Sequence, residues 1–193
     1  MNGREFFGRF GFIVRKISIL LSVFPEGFVS FIVACFSSFG GRWASLLRYV
    51  LLSGRFESCG SNVYLGPGLT LKGLSRLVVG DNVSIHDYSY LDAQGGLTIG
   101  DNVSIAHHVS ILTFNHTWSD LERPIKYNPV VTEGVVIESD VWIGCGVRIM
   151  PGVIIGRRSV IAAGAVVTKN IPSGVIVAGV PARVIKLISD EAR

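Results

Sequence analysis

Charge is scarce in this sequence. Only 17% of its 193 residues are Asp, Glu, Lys or Arg, while 49% are hydrophobic. That balance excludes the poorly hydrophobic, self-repelling chains that stay disordered. Cysteine is scarcer still: Cys35, Cys59 and Cys145, with no Cys-x-x-Cys pair. Three scattered thiols build neither a disulfide framework nor a cysteine zinc site, so a reducing cytoplasm is the expected compartment. Long hydrophobic runs are missing too. Residues 27–41 carry no charge, but fifteen residues fall short of the roughly 20 that a straight bilayer-crossing helix needs. Pro25 and Glu26 interrupt the longer tract that would include Ile17–Phe24, which also argues against a secretory signal. Acidic residues are nearly absent from one region. Residues 1–56 hold seven Lys or Arg against two Glu, a charge of +5, whereas residues 57–193 carry −1.

The basic segment is interleaved with apolar residues. Phe6, Phe10, Ile13, Ile17, Leu20 and Phe24 recur at helical spacing over residues 4–24, with Gly8, Arg15 and Ser22 opposite. Pro25 should end that helix. Residues 42–53 resume the pattern, with Trp43, Leu46, Leu47, Val50 and Leu51 against Arg42, Ser45 and Arg48. Two or three helices are expected in 1–56. They lie in or on an anionic membrane interface, or pack on the rest of the protein and on neighbouring subunits. Basic residues mixed with apolar runs fit a membrane surface better than nucleic acid, and no nucleic-acid partner is expected.

What the chain has in place of charge is a short repeat. From Val131 to Pro172 every sixth residue is aliphatic: Val131, Ile137, Ile143, Ile149, Ile155, Ile161 and Val167. A second apolar position follows four residues after most of them, at Val135, Val141, Val147, Val153, Ala165 and Ile171. An α-helix turns in 3.6 residues and cannot hold a period of six on one face. Hexapeptides of this kind build a parallel β-helix in which each supplies a strand and a corner. The series begins near Cys59, through Leu65, Leu71, Val79, Ile85, Leu91, Ile99, Ile105 and Ile111. Two of its steps are eight residues long, so a full coil takes 20. Val79-Gly80-Asp81-Asn82-Val83-Ser84-Ile85 and Ile99-Gly100-Asp101-Asn102-Val103-Ser104-Ile105 repeat at that interval. The reading is an all-β solenoid of about five coils over residues 57–188, roughly 25 Å tall. A strand at Val175–Ala178 and a short helix over about Val184–Ala192, in a tail of residues 184–193, should cap it.

One interval breaks the repeat. Residues 112–130 hold two prolines, three aromatics, charges and His116. Insertions in solenoids form loops on binding faces. A histidine there can take a proton near neutral pH. His86, His107 and His108 read as structural or surface residues, with His107 and His108 on opposite sides of one strand. Their spacing contains no His-x4-His pair, and no metal is expected.

Val141-Trp142-Ile143-Gly144, the run Val160–Pro172 and Ala178-Gly179-Val180-Pro181-Ala182-Arg183 together resemble the hexapeptide-repeat acyltransferases. Within these, the galactoside, maltose, nodulation-factor and polysaccharide O-acetyltransferases are the most similar. The resemblance covers about residues 59–188. It implies a left-handed parallel β-helix, acetyl-CoA as acyl donor, and a homotrimer with sites between subunits. Asn115-His116 matches the loop position of the family's base histidine, which implies that His116 removes the acceptor's hydroxyl proton. Gly144, Cys145, Ala163, Gly164, Thr168, Lys169 and Arg183 match coenzyme-contacting positions. Cys145 stands where serine is commoner, and its backbone N–H is a candidate oxyanion donor. Asp92 lies near a polar acceptor contact, Trp142 is a candidate wall for the acceptor, and Tyr88 and Tyr90 suit a sugar face. The family's asparagine-rich acceptor motif is not reproduced, which argues against galactoside or maltose.

The expected activity is O-acetylation of a carbohydrate hydroxyl in surface-polysaccharide synthesis. The acceptor would be lipid-linked and the enzyme held at the inner face of the cell membrane by residues 1–56. Alternatives are an amino-sugar N-acetyltransferase, a drug acetyltransferase of the same fold, or a non-catalytic β-helix scaffold.

Overall fold

The structure, a computed structural model, describes residues 3–191. From Ser58 the chain winds as a triangular coil whose three faces are parallel sheets. The first face stacks Ser58–Cys59, Leu77–Val79, Leu97–Ile99, Val135–Ile137 and Ile154–Ile155. The second stacks Tyr64–Leu65, Ser84–Ile85, Ser104–Ile105, Trp142–Ile143, Val160–Ile161 and Val175–Ala178. The third stacks Thr70–Lys72, Tyr90–Asp92, Ser110–Ile111, Arg148–Ile149 and Val166–Val167. Five turns are complete. A sixth begins where Ile171 bridges Ile155 and continues through Val175–Ala178.

The period of six is a period of burial. Ile137, Ile143, Ile149, Ile155, Ile161 and Val167 are fully enclosed, as are Val135, Val141, Val147, Val153 and Ala165. The repeated heptapeptides lie in register, Val79 on Ile99 and Ser84 on Ser104. Their asparagines make the corner between the first two faces. Asn62, Asn82 and Asn102 each hold φ 57°, a left-handed conformation that asparagine tolerates better than most residues. Their amides form a ladder up the stack, Asn62 to Asn82 at 3.0 Å and Asn82 to Asn102 at 3.3 Å.

Val131 departs from the expected series. It is exposed and belongs to an antiparallel hairpin, Phe114–His116 against Val130–Thr132. The coil resumes only at Val135, so the excursion includes Val131 despite its aliphatic side chain. His107 and His108 also differ from expectation. They form a corner, not a strand; His108 has φ 59°, both rings are exposed, and their centroids lie 5.3 Å apart.

Three helices precede the coil: α1 (Gly3–Leu21), α2 (Glu26–Cys35) and α3 (Arg42–Leu52). Pro25, with no N–H to donate, sits at the N-cap of α2 and stops α1 from running on. The expected inner and outer sides of α3 are reversed in part. Ser45 and Arg48 are buried, with Tyr49 and Leu52, while Trp43 is exposed. The reason is the open edge of the first turn, whose backbone groups need partners. Leu65 N–H donates to Ser45 Oγ (3.0 Å), Arg48 Nε donates to Leu65 O (2.8 Å), and Tyr49 OH donates to Gly60 O (2.9 Å). Burial pushes the Arg48 guanidinium below its usual pKa, against the raising influence of Tyr64 and Asp87. On α1 the inner side is Val14 and Ser18, while Ile13, Ile17, Leu20 and Phe24 of the anticipated apolar stripe are exposed. Ser18 Oγ meets Ser53 Oγ at 2.8 Å and accepts the Gly54 N–H at 2.7 Å, so small residues bring α1 close to the turn after α3.

The far end is capped by strand pairing. Where a helix over about Val184–Ala192 is expected, Arg183–Leu187 is an antiparallel strand on Val175–Ala178, followed by a 3-10 turn over Ile188–Glu191. Unpaired edge groups of the last turn favour a strand over a helix there. Ala192, the anticipated helix end, lies outside the described residues.

Candidate active site

Two columns of corner residues flank the third face. The column between the second and third faces is tied by backbone bonds from turn to turn. Tyr88 N–H donates to Pro67 O (2.9 Å), His108 N–H to Asp87 O (3.0 Å), Gly146 N–H to His107 O (3.1 Å) and Gly164 N–H to Cys145 O (2.8 Å). Gly144, Cys145, Ala163 and Gly164 therefore stack in one place. Gly144 is required there, because a Cβ would stand 2.6 Å from the Ala163 backbone nitrogen. Cys145 is half-buried, while Ala163 and Gly164 are exposed, so these positions carry no long side chains of their own. Below them the column changes character. The Tyr88 ring lies against His108 (centroids 5.4 Å apart), and on the adjoining second face Tyr64 lies against His86 (5.3 Å). Arg183 reaches this side from above. It pairs with Ala178, and the neighbouring Ala182 N–H donates to Val166 O at 2.8 Å.

The second column, between the third and first faces, carries the hairpin. It leaves the coil after Ile111 and returns at Val135. Its root is Thr113, which is fully buried. Thr113 Oγ1 accepts the Gly95 N–H (2.8 Å) and donates to Asp92 Oδ1 (3.3 Å). Thr113 O accepts the Glu133 N–H at 2.9 Å, closing the root. Asp92 is also fully buried. Its carboxylate accepts the backbone N–H and the Nε2–H of Gln94, both at 2.9 Å. Farther out, Thr117 donates twice to Pro129 O, from N–H at 3.0 Å and Oγ1 at 2.7 Å. The buried Asn128 amide donates to the carbonyls of Asp120, Arg123 and Pro124 and so gathers the tip. His116 stands exposed on this braced hairpin, opposite Val130, with the Phe114 ring edge-on at 6.4 Å. Among the described residues, neither ring nitrogen of His116 has a hydrogen-bond partner. Two turns above the hairpin's departure, Thr168 and Lys169 occupy the same column, both exposed.

The anticipated residues thus fall into sets. Asn115, His116, Asp92, Thr168 and Lys169 share one column. Gly144, Cys145, Ala163, Gly164 and Arg183 share the other. Tyr90 lies half-buried on the third face between them, over Thr70 and under Ser110. Trp142 belongs to neither. It is exposed on the second face, lining a groove of about 270 Å³ with Ser104, Asp140, Arg158 and Ile188. One chain does not bring His116 to Cys145, because a strand and its corners separate the columns.

Two residues that the pattern concealed stand out in the structure. Thr113 looks like one more small repeat residue in the sequence, yet it ties the hairpin to Asp92. Arg148 is exposed on the third face, with Nη1 donating to His108 O (2.9 Å) and Gly146 O (2.8 Å). A cation between Val147 and Ile149 was the available signal. Among the described residues, no group of three His, Cys, Asp or Glu could hold a metal ion. None of the described helices is long and apolar enough to cross a membrane.

Residues 134–169 match the family model "Bacterial transferase hexapeptide (six repeats)". WbbJ of Escherichia coli strain K12, named as a lipopolysaccharide biosynthesis O-acetyl transferase, is 35% identical over 143 residues, covering 69% of this chain and 73% of its own. A galactoside acetyltransferase solved with coenzyme A has the same fold at TM-score 0.75, with 32% identity over 88% of this chain and 86% of that one. A hexapeptide-repeat acetyltransferase of Vibrio cholerae, solved with acetyl coenzyme A, gives TM-score 0.72 at 29% identity, over 82% and 84%. The coil has the left-handed architecture of these enzymes. The repeat, the hairpin and the likeness along most of both chains place this protein in the hexapeptide-repeat acetyltransferase family.

Proposed function

We propose that the protein transfers an acetyl group from acetyl-CoA to a carbohydrate hydroxyl, with His116 as general base. The observation that carries this reading is the exposed, braced His116 hairpin beside a coil whose later turns are free of bulky side chains at Cys145 and Ala163. In the reaction the acceptor oxygen attacks the thioester carbonyl while His116 takes its proton. The new C–O bond forms, the C–S bond breaks, and the proton passes to the departing thiolate. The Cys145 backbone N–H meets the oxyanion that develops. Lys169 and Arg183 meet the coenzyme phosphates, with Thr168 beside them. Gly144, Ala163 and Gly164 let the pantetheine arm approach the backbone.

The separation of the two columns supports a site completed by a second copy, one chain giving His116 and its neighbour Cys145, in a homotrimer. Asn115 and Tyr90 face the acceptor, and Trp142, on the second face, meets it from the copy that supplies Cys145. Asp92 acts from inside by holding Gln94 and Thr113, since its carboxylate is enclosed in this chain. The acceptor is a lipid-linked intermediate of surface-polysaccharide synthesis. Residues 1–56 hold the enzyme at the inner face of the cell membrane, and residues 57–188 form the catalytic unit.

Saccharide acceptors incubated with acetyl-CoA test the reading through free-thiol release and the mass of the acetylated product. Acceptor-dependent release and an ester on the sugar are expected. Thiol release that no saccharide stimulates would overturn it.

A further inference from the structure

The three helices have a side that the protein leaves uncovered. Phe12 (72%), Leu20 (69%) and Val23 (82%) on or just after α1 are largely solvent-accessible, as are Phe31 (64%) on α2 and Trp43 (80%) on α3. Soluble proteins rarely leave so many large apolar side chains together without a partner. Two cations sit among them. Lys16 Nζ rides 4.4 Å above the Phe12 ring, and Arg9 lies 5.5 Å from the Phe10 centroid. Aromatic and aliphatic groups interspersed with basic ones suit the boundary between anionic headgroups and acyl chains. Pairing this face with itself on a second copy would set Arg9 and Lys16 against their own kind. The segment has only Glu5 and Glu26 to offset seven basic residues.

The placement of this face matters as much as its chemistry. Ladder bonds in a β-helix run along the stack, so a helix bonded to Leu65 N–H and O lies across the end of the stack. The apolar side of the helices therefore faces away from the coil, and the coil stands up from it. The His116 hairpin leaves the third turn, two strand layers above the first, or about 10 Å. The helix layer adds roughly another 10 Å.

We propose that the helical cap docks on an anionic lipid surface with the coil axis upright, and that the acetylated hydroxyl belongs to a saccharide rising about 20 Å from that surface. This deepens the proposed function and rests on it for the identity of the acceptor. The acceptor is then a lipid-linked oligosaccharide modified several sugar rings out from its lipid. A sugar attached directly to the lipid phosphate would sit too low.

The test uses the full chain and vesicle flotation with phosphatidylcholine alone or mixed with phosphatidylglycerol. Two variants accompany it: Phe12→Ser/Leu20→Ser/Trp43→Ser, and Arg9→Glu/Lys16→Glu. Co-flotation with the anionic vesicles is expected, weakening with salt. The charge-reversed variant should bind on the order of tenfold or more weakly. Both variants should keep wild-type thiol release with soluble acceptor. Fluorescence quenching by lipid-depth probes should find Trp43 at the headgroup boundary. Equal binding to neutral vesicles, or concentration-dependent association of copies that the apolar variant abolishes, would overturn the proposal. Flotation without any saccharide-dependent thiol release would instead sink the catalytic reading and leave the docking standing.

Discussion

Thr113→Val isolates the joint that holds the hairpin. Valine has nearly the shape of threonine, so the substitution opens no cavity and removes only the hydroxyl. That hydroxyl accepts the Gly95 N–H at 2.8 Å and donates to Asp92 Oδ1 at 3.3 Å, in a position with no exposure to water. The long bond to Asp92 contributes little, since the carboxylate keeps both bonds from Gln94. The half-buried Gly95 amide loses its acceptor and faces the valine methyl instead, and a donor left unpaired in this way costs about 1–3 kcal/mol. For a chain of this size that lowers the melting temperature by about 2–12 °C. Urea unfolding measures the loss, and hydrogen exchange reads the Gly95 amide directly. Thr113→Ser, which keeps the hydroxyl, should retain the amide's protection and lose only about 1 kcal/mol for the missing methyl. Because the hairpin carries His116, kcat should fall in the valine variant with little change in the KM for acetyl-CoA. Unchanged stability together with unchanged Gly95 protection would refute the joint.

Gly144→Ala should force the fourth and fifth turns apart where the new Cβ meets Ala163 N at 2.6 Å. A loss of about 1–3 kcal/mol and a raised KM for acetyl-CoA are expected, and wild-type values for both would contradict the stacking described. Ile143→Ala, at a fully buried repeat position, should cost about 2–5 kcal/mol in urea unfolding; a loss below that range would mean the coil collapses around the gap. Burial pushes the Cys59 thiol from 9.0 and the Tyr49 phenol from 10.0 up to about 12 each. Both folded values lie above the unfolded ones, so their contribution is complete below about pH 9 and drains away as pH rises towards 12. Urea midpoints should decline over that window, less steeply in Cys59→Ala, and a flat profile would argue against burial of these groups.

Much of the coil could be read from the chain because the repeat encodes one physical demand, an aliphatic residue facing inward at every sixth position. The reading failed where the same residue type served another purpose. Val131 keeps the period by coincidence, and only the pairing of His116 with Val130 reveals the hairpin. In α3, Ser45 and Arg48 looked like an outer polar side, since sequence periodicity cannot register that an open strand edge needs hydrogen bonds more than oil. The helix expected from Val184 onward gives way to the strand Arg183–Leu187 for the same reason, because the edge it pairs with lies in another part of the fold. His116 was legible as a histidine in the one broken interval. Thr113 and the enclosure of Asp92 were not, because both depend on a turn 20 residues away lying directly beneath.

The central claim is that His116 removes the acceptor proton. Steady-state thiol release by His116→Ala, with the fold verified by its urea unfolding curve, measures this most directly. A loss on the order of 10²–10⁴-fold in kcat, with acetyl-CoA binding and stability retained, is the predicted result. Turnover at the wild-type rate would contradict it.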